Sequence, residues 1–252
     1  MMTLSFALRS DVGCVRPNNE DMILLNSEFY RDESYETTCR MDDLTRWTAV
    51  VADGMGGHAG GEFASELAAQ AFDDFVQGLP DELTSEQVIS AAKEWASATH
   101  RMIISKGIEM PQYQGMGTTL TGLFAYEGKV FMINIGDSRL YRYRETMLKQ
   151  ISEDHSMRNL VGQAESNLIY NSLGAGDSVF ADVVDITARI LPDDRYLVCS
   201  DGLTDMLSVE QIDAILDANA NANANAVDEL VEAAKAAGGK DNISVILIHF
   251  EQ

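Results

Sequence analysis

The chain has 252 residues, 46% of them apolar and 23% charged, a balance that suits a folded globular protein and excludes a disordered one. Against 40 acidic residues stand only 18 basic ones, for a net charge of −22, so a broad basic face for nucleic acid is excluded. No apolar run reaches the roughly 20 residues that span a bilayer, and the N-terminus lacks the basic start and apolar centre of a signal peptide. Cys14, Cys39 and Cys199 form no CxxC or zinc pattern, which points to a reduced, cytoplasmic protein.

In chain order, Leu4, Phe6 and Leu8 alternate with smaller or polar residues and predict a strand. Further strands are expected at 22–25 and 47–52, with the polar, acidic stretch 28–46 read as a loop between them. Phe63, Leu67, Ala71 and Phe75 recur at helical spacing. A second helix is expected from Thr84, where Thr84 and Gln87 form a capping-box pattern, and it carries Val88, Ala91, Trp95 and Met102. Segments 120–126 and 129–135 flank Glu127-Gly128 and read as a β-hairpin, and 139–144 with 147–151 as another pair. A strand at 195–200 precedes a helix capped by Ser208 and Gln211. The alternating Ala and Asn of 218–226 read as a solvated loop. A last helix, 227–237, stops at Gly238-Gly239, and a strand at 243–250 closes the chain. With no Pro/Gly/Ser linker, one domain over 1–252 is expected. Its grouped strands and helices suit an α+β sandwich of antiparallel sheets with helices outside.

Several aspartates sit where apolar strands end. Val50-Val51-Ala52 runs into Asp53-Gly54-Met55-Gly56-Gly57-His58, and Leu197-Val198-Cys199-Ser200 into Asp201-Gly202. Ile133-Asn134-Ile135 ends in Gly136-Asp137-Ser138, and Gly239-Lys240-Asp241-Asn242 precedes the final strand. One such aspartate reads equally well as a turn or helix cap. Four at strand ends suggest a shared oxygen-rich site for Mg²⁺ or Mn²⁺, because grouped carboxylates without cations repel each other and lose hydration. Arg16, close to Glu20 and Asp21, carries the planar fork that suits phosphate, although an isolated triplet of this kind reads as readily as a surface salt bridge.

Together these segments resemble the metal-dependent serine/threonine protein phosphatases, the type-2C or PPM family, in its bacterial stand-alone form. The resemblance covers 11–245, with seven motifs in the family's order. They are Ser10-Asp11-x-Gly13-x-Val15-Arg16-x-x-Asn19-Glu20-Asp21, Ala52-Asp53-Gly54-Met55-Gly56-Gly57-His58, Gly117-Thr118-Thr119 and Asn134-x-Gly136-Asp137-Ser138-Arg139, then Asp154-His155-Ser156, Ser200-Asp201-Gly202-Leu203-Thr204-Asp205 and Asp241-Asn242-Ile243-Ser244. Any one is a weak signal; the ordered set is specific.

The resemblance implies a four-layer αββα sandwich, two central antiparallel sheets flanked by helices. It implies two Mn²⁺ or Mg²⁺ ions in a core site, with a third position beside them. Asp53 would bridge two ions and Gly54 would offer its carbonyl, while Asp201 and Asp241 would complete the first ion's shell. Glu20 and Asp21 would hold the second ion directly or through water, and Asp137 with Asp201 matches the third position. Arg16 would bind the substrate phosphate, and His58 is the candidate general acid, although a lone histidine in a glycine-rich turn is otherwise structural. His155 reads as a structural or flap-anchoring residue. The expected substrates are phosphoserine and phosphothreonine in proteins, opposite a cognate Ser/Thr kinase, for a monomer that binds neither nucleic acid nor membrane.

The chain departs from the family between Asp154 and Leu173-Gly174. The flap region, about 155–178, is shorter than usual, and it has Tyr170-Asn171-Ser172 where an arginine-containing run is common. Two other readings stand beside the first: a phosphatase of similar fold acting on a small metabolite, and a catalytically silent module that binds phosphoproteins.

Overall fold

Strand β1 (Thr3–Asp11) is buried on both faces, and the reason is visible in its neighbours. Leu4, Phe6 and Leu8 point into a layer between two sheets, whereas Ala7 joins an outer layer beneath helices. The computed structural model describes residues 2–56, 59–157 and 169–251. One six-stranded sheet runs in the order β11 (Met147–Gln150), β10 (Arg139–Arg144), β13 (Arg195–Cys199), β14 (Ile243–Glu251), β1 and β4 (Ser34–Arg40). The other runs β12 (Asp182–Asp185), β9 (Lys129–Ile135), β8 (Leu120–Tyr126), β5 (Arg46–Ala52), β2 (Met22–Leu25) and β3 (Glu28–Tyr30). Neighbouring strands pair antiparallel in both sheets. A two-stranded piece, β6 (Gly54–Met55) with β7 (Gly117–Thr118), sits apart from them.

Three apolar layers hold the sandwich together. Phe6, Trp47, Val51, Tyr196 and Phe250 fill the space between the sheets. Helices α1 (Ala59–Gly78) and α2 (Ser85–Glu109) cover the second sheet through Phe72, Val76, Val88 and Trp95. Over the first sheet lie α3 (Asp201–Thr204), α4 (Val209–Ala218) and α5 (Asn223–Ala236), through Leu203, Ile212, Leu230 and Val231. The expected αββα order is therefore present. Because both faces of each central strand are covered, β5 and β14 read as nearly continuous apolar runs.

The capping box at the start of α2 forms as expected, with Thr84 N–H donating to Gln87 Oε1 at 2.8 Å and Gln87 N–H to Thr84 Oγ1 at 3.3 Å. Two expectations need correction. The stretch 28–46 is not a loop, for it contains β3 and β4. Strand β4 is the solvated edge of its sheet, where polar residues protect the open backbone, so it carries little apolar signal. Nor is 218–226 loop throughout, since α5 begins at Asn223. Ala226 heads a buried stripe with Val227, Leu230, Val231 and Ala234, and that packing outweighs the small helical cost of asparagine. The short strand β12 had no sequence signal that singled it out. Among the described residues, no helix is long and apolar enough to cross a membrane.

Candidate active site

A cleft of about 680 Å³ opens where β5 and β13 end and β14 begins, and Arg16, Glu20, Asp53, Gly54, Asp201 and Asp241 line it. Antiparallel pairing explains the convergence. Strands β13 and β14 are neighbours of opposite direction, so the end of one lies beside the start of the next.

Asp53 is held by its backbone. Its N–H donates to Thr119 Oγ1 at 3.0 Å, and its carbonyl accepts from the Thr119 N–H and the Thr118 hydroxyl, each at 2.9 Å. The hydroxyls of Thr119 and Ser138 lie 2.8 Å apart, which ties this corner to the loop that carries Asp137. Gly54 has no room for a side chain, because a Cβ there would meet the Gly61 carbonyl oxygen at 2.2 Å. Asp201 opens α3, and the next residue must be glycine, since a Cβ at Gly202 would lie 1.9 Å from the Asn242 carbonyl oxygen.

The loop carrying Arg16 and Glu20 is fastened from the other end of the chain. Asn242 accepts from the Glu20 N–H at 2.8 Å and donates to the carbonyls of Val12 and Asn18, both at 3.0 Å. Asn19 donates to Ser10 Oγ and to Asp32, each at 2.9 Å, and accepts from the Asp21 N–H at 3.1 Å. Thr118, Thr119, Ser138, Asn19 and Asn242 all lie within the quoted motifs, yet the sequence reading assigned them no role. Their motif membership was the available signal.

The electrostatics are those of crowded carboxylates. Burial, then the charges of Asp21, Asp201, Asp137 and Asp241, hold the Asp53 carboxyl well above the usual carboxylate range. Asp201 is raised in the same way by burial, then by Asp137, Asp205, Asp241 and Asp21. Burial chiefly pushes Asp137 up to about 6, and one of its carboxylate oxygens is buried without a hydrogen-bond partner among the described residues. Asp21 is also pushed to about 6 by burial, despite accepting a bond from Ser200 Oγ at 2.8 Å. Asp21 and Asp137 do not line the cleft; they stand behind it, near enough to act on Asp53 by charge.

Among the described residues, no three acidic, histidine or cysteine side chains close on one point that would hold an ion. Instead Arg16 Nη2 donates to Asp241 at 2.5 Å, and Ser200 takes Asp21. The donor set nevertheless fits hard divalent cations: all-oxygen, anionic, partly desolvated, and repelling itself in a way that positive charge would relieve. His58 lies outside the described residues. His155 is buried and braced, accepting from the Gly136 N–H at 3.1 Å with Asp182 at 3.0 Å from its other nitrogen. Nearby, Arg139 grips Asp154 through Nη2 at 2.7 Å and Nε at 3.0 Å. Residues 158–168 of the expected flap lie outside the described residues, while Ile169, Ser172 and Ala175 line the cleft. Leu173 exchanges backbone bonds with Thr118 at 2.9 Å, which seats this segment on the support of Asp53.

A four-layer sandwich with aspartates and an arginine on one cleft is the arrangement expected of a phosphate-ester hydrolase of the metal-dependent class. A family model described as protein phosphatase 2C matches residues 31–243. The serine/threonine phosphatase stp of Listeria monocytogenes is 28% identical over 252 residues, covering 95% of this chain and 93% of that protein. The serine/threonine protein phosphatase PstP of Mycobacterium tuberculosis is 32% identical over 98% of this chain, which spans 45% of PstP. A crystal structure of the PstP catalytic domain with two manganese ions superposes with a TM-score of 0.74 at 30% identity, covering all of both chains. The chain belongs to the protein phosphatase 2C family.

Proposed function

We propose that this phosphatase works through divalent cations held by Asp53, the Gly54 carbonyl, Asp201 and Asp241, with Glu20 and Asp21 serving a second position and Asp137 a third. Its reaction is the hydrolysis of phosphoserine and phosphothreonine in proteins, the activity its relatives' names carry. The observation that carries the residue assignment is the meeting of Asp53, Asp201 and Asp241 with Arg16 on one cleft.

Bound there, Mn²⁺ or Mg²⁺ would supply the Lewis acidity that activates water and balances charge on the phosphoryl oxygens. The protein's own groups do the rest. Arg16, at the exposed mouth, turns its planar fork to the substrate phosphate and orients phosphorus for in-line attack. Thr118, Thr119 and Asn242 hold Asp53 and Glu20 in place, so little reorganisation is needed as charge develops. The imidazole of His58 protonates the leaving serine or threonine oxygen, a poor leaving group as the alkoxide. We further propose a cytoplasmic monomer that acts opposite a Ser/Thr kinase.

The test is a metal-titrated assay on phosphoserine, phosphothreonine and phosphotyrosine peptides and on small phosphate esters, with a chelator control. Turnover of the first two peptides, restored by Mn²⁺ or Mg²⁺ after chelation, is the expected result. Activity confined to small esters, or indifferent to the chelator, would overturn the reading.

A further inference from the structure

At the margin of the inter-sheet layer, outside the catalytic cleft, a pocket of about 170 Å³ opens between β10, β11 and β13 of one sheet and β9 and β12 of the other. Met132, Val184 and Tyr196 give it apolar walls, and its charged groups are three cations, Arg142, Lys149 and Arg189. No acid lines it. In a chain with 40 acidic and 18 basic residues, three cations sharing an acid-free pocket go against the overall balance.

The arrangement is also unfavourable for the sheet by itself. Arg142 and Lys149 stand directly opposite each other on β10 and β11, and like charges so placed weaken strand pairing. Several other cations of the fold are matched, among them Arg9 with Asp11, Arg31 with Glu62 and Arg139 with Asp154. The nearby Asp194 is occupied, accepting from Arg144 Nε at 2.5 Å and Nη2 at 2.6 Å. Among the described residues, no carboxylate pairs with Arg142, Lys149 or Arg189, and Arg142 Nε is buried with no acceptor. Lys149 and Arg189 are exposed, as basic side chains that shield the rim of an apolar layer are, with their head groups in water; Arg142 is half-buried. A buried, unmatched guanidinium nitrogen is different: its lost hydration calls for an acceptor.

We propose that this pocket binds a small phosphate-bearing anion, either inorganic phosphate or a phosphomonoester with a compact apolar group, at a site separate from the catalytic cleft. Two guanidinium forks and an ammonium match the oxygens of a dianion, which would also cancel the repulsion between Arg142 and Lys149. The pocket is smaller than the roughly 300–1,000 Å³ that takes drug-sized ligands, so a nucleotide does not fit within it.

The test is calorimetric titration of the whole protein at low ionic strength, in chelator, with inorganic phosphate and with phenylphosphonate. An Arg16→Ala background silences the phosphate contact in the catalytic cleft. One site should remain there, and Arg142→Met or Arg189→Met should weaken it by about tenfold or more, as expected for a charged hydrogen bond removed. Phosphate should raise the melting temperature of the Arg16→Ala protein and not that of the double variants. Turnover of p-nitrophenyl phosphate by Arg142→Met alone should match the unaltered enzyme. Tighter binding of phenylphosphonate would mark an organic phosphate as the natural occupant, and tighter binding of phosphate the free ion. No remaining site in Arg16→Ala, or affinity unchanged by both pocket substitutions, would overturn the proposal. The titration needs no turnover, so its failure is distinct from failure of the phosphatase reading.

Discussion

The side-chain carbonyl of Asn242 accepts a hydrogen bond from the backbone N–H of Glu20 at 2.8 Å, joining positions 222 residues apart. Through its amide nitrogen the same side chain holds Val12 and Asn18. One residue thus sets the loop with Arg16 and Glu20 against the start of β14, where Asp241 lies. Asn242→Ala should leave the fold intact by circular dichroism. The Mn²⁺ concentration for half-maximal activity should rise about 10–100-fold, the usual cost of losing a group that orients ligands. An unchanged Mn²⁺ activation curve would remove the bracing role.

Asp53→Asn and Asp201→Asn each delete a carboxylate from the crowded set. Turnover of p-nitrophenyl phosphate should fall to background in both. Because the ionised groups repel one another, the same variants should melt at or above the temperature of the unaltered protein when a chelator is present. Normal turnover in both variants would dismiss the metal assignment, whereas joint loss of turnover and of the melting transition would indicate a structural role.

For His58→Ala, two substrates divide the possibilities. A phosphothreonine peptide needs a proton on its leaving oxygen, so its turnover should drop by about 10²–10⁴-fold. The p-nitrophenolate leaving group is stable without a proton, and its release should change little. Equal losses on both substrates would count against the general acid.

The raised aspartates make a prediction about pH. Asp21 and Asp137 titrate near 6 in the folded protein, above the value of about 3.9 in an unfolded chain. Between these values the folded state binds more protons than the unfolded one, so stability falls as pH rises through that window. In chelator, the protein should melt at a higher temperature at pH 5 than at pH 7.5. Saturating Mn²⁺ should reduce or reverse the difference, since cations favour the ionised carboxylates. A melting temperature that rises with pH in chelator would contradict the crowding.

Much of this architecture was legible in one dimension because it depends on local pattern. The period of apolar residues exposed α1, α2 and most strands, and Thr84 with Gln87 marked a helix start through neighbouring atoms alone. The strand-end aspartates were visible for the same reason, each being punctuation after an apolar run. Strand β4 was not, since an edge strand in water has no buried face to leave a mark. The start of α5 was misjudged because packing of Ala226 beneath Leu230 decides it, not the propensity of asparagine.

What the chain by itself determined was the list of carboxylates and the order of their motifs, which chemistry and spacing make recognisable. Only the folded arrangement decided that Asp53, Asp201 and Asp241 share a cleft while Asp21 and Asp137 stand behind it, and that Thr119, Ser138 and Asn242 fasten them. It alone brought Arg189, on a distant turn, beside Arg142 and Lys149 of the β10–β11 hairpin. The physical reason is common to both. Coulomb interaction and hydrogen bonding act over a few ångströms of space, and which residues come that close is settled by how the sheets pair and stack.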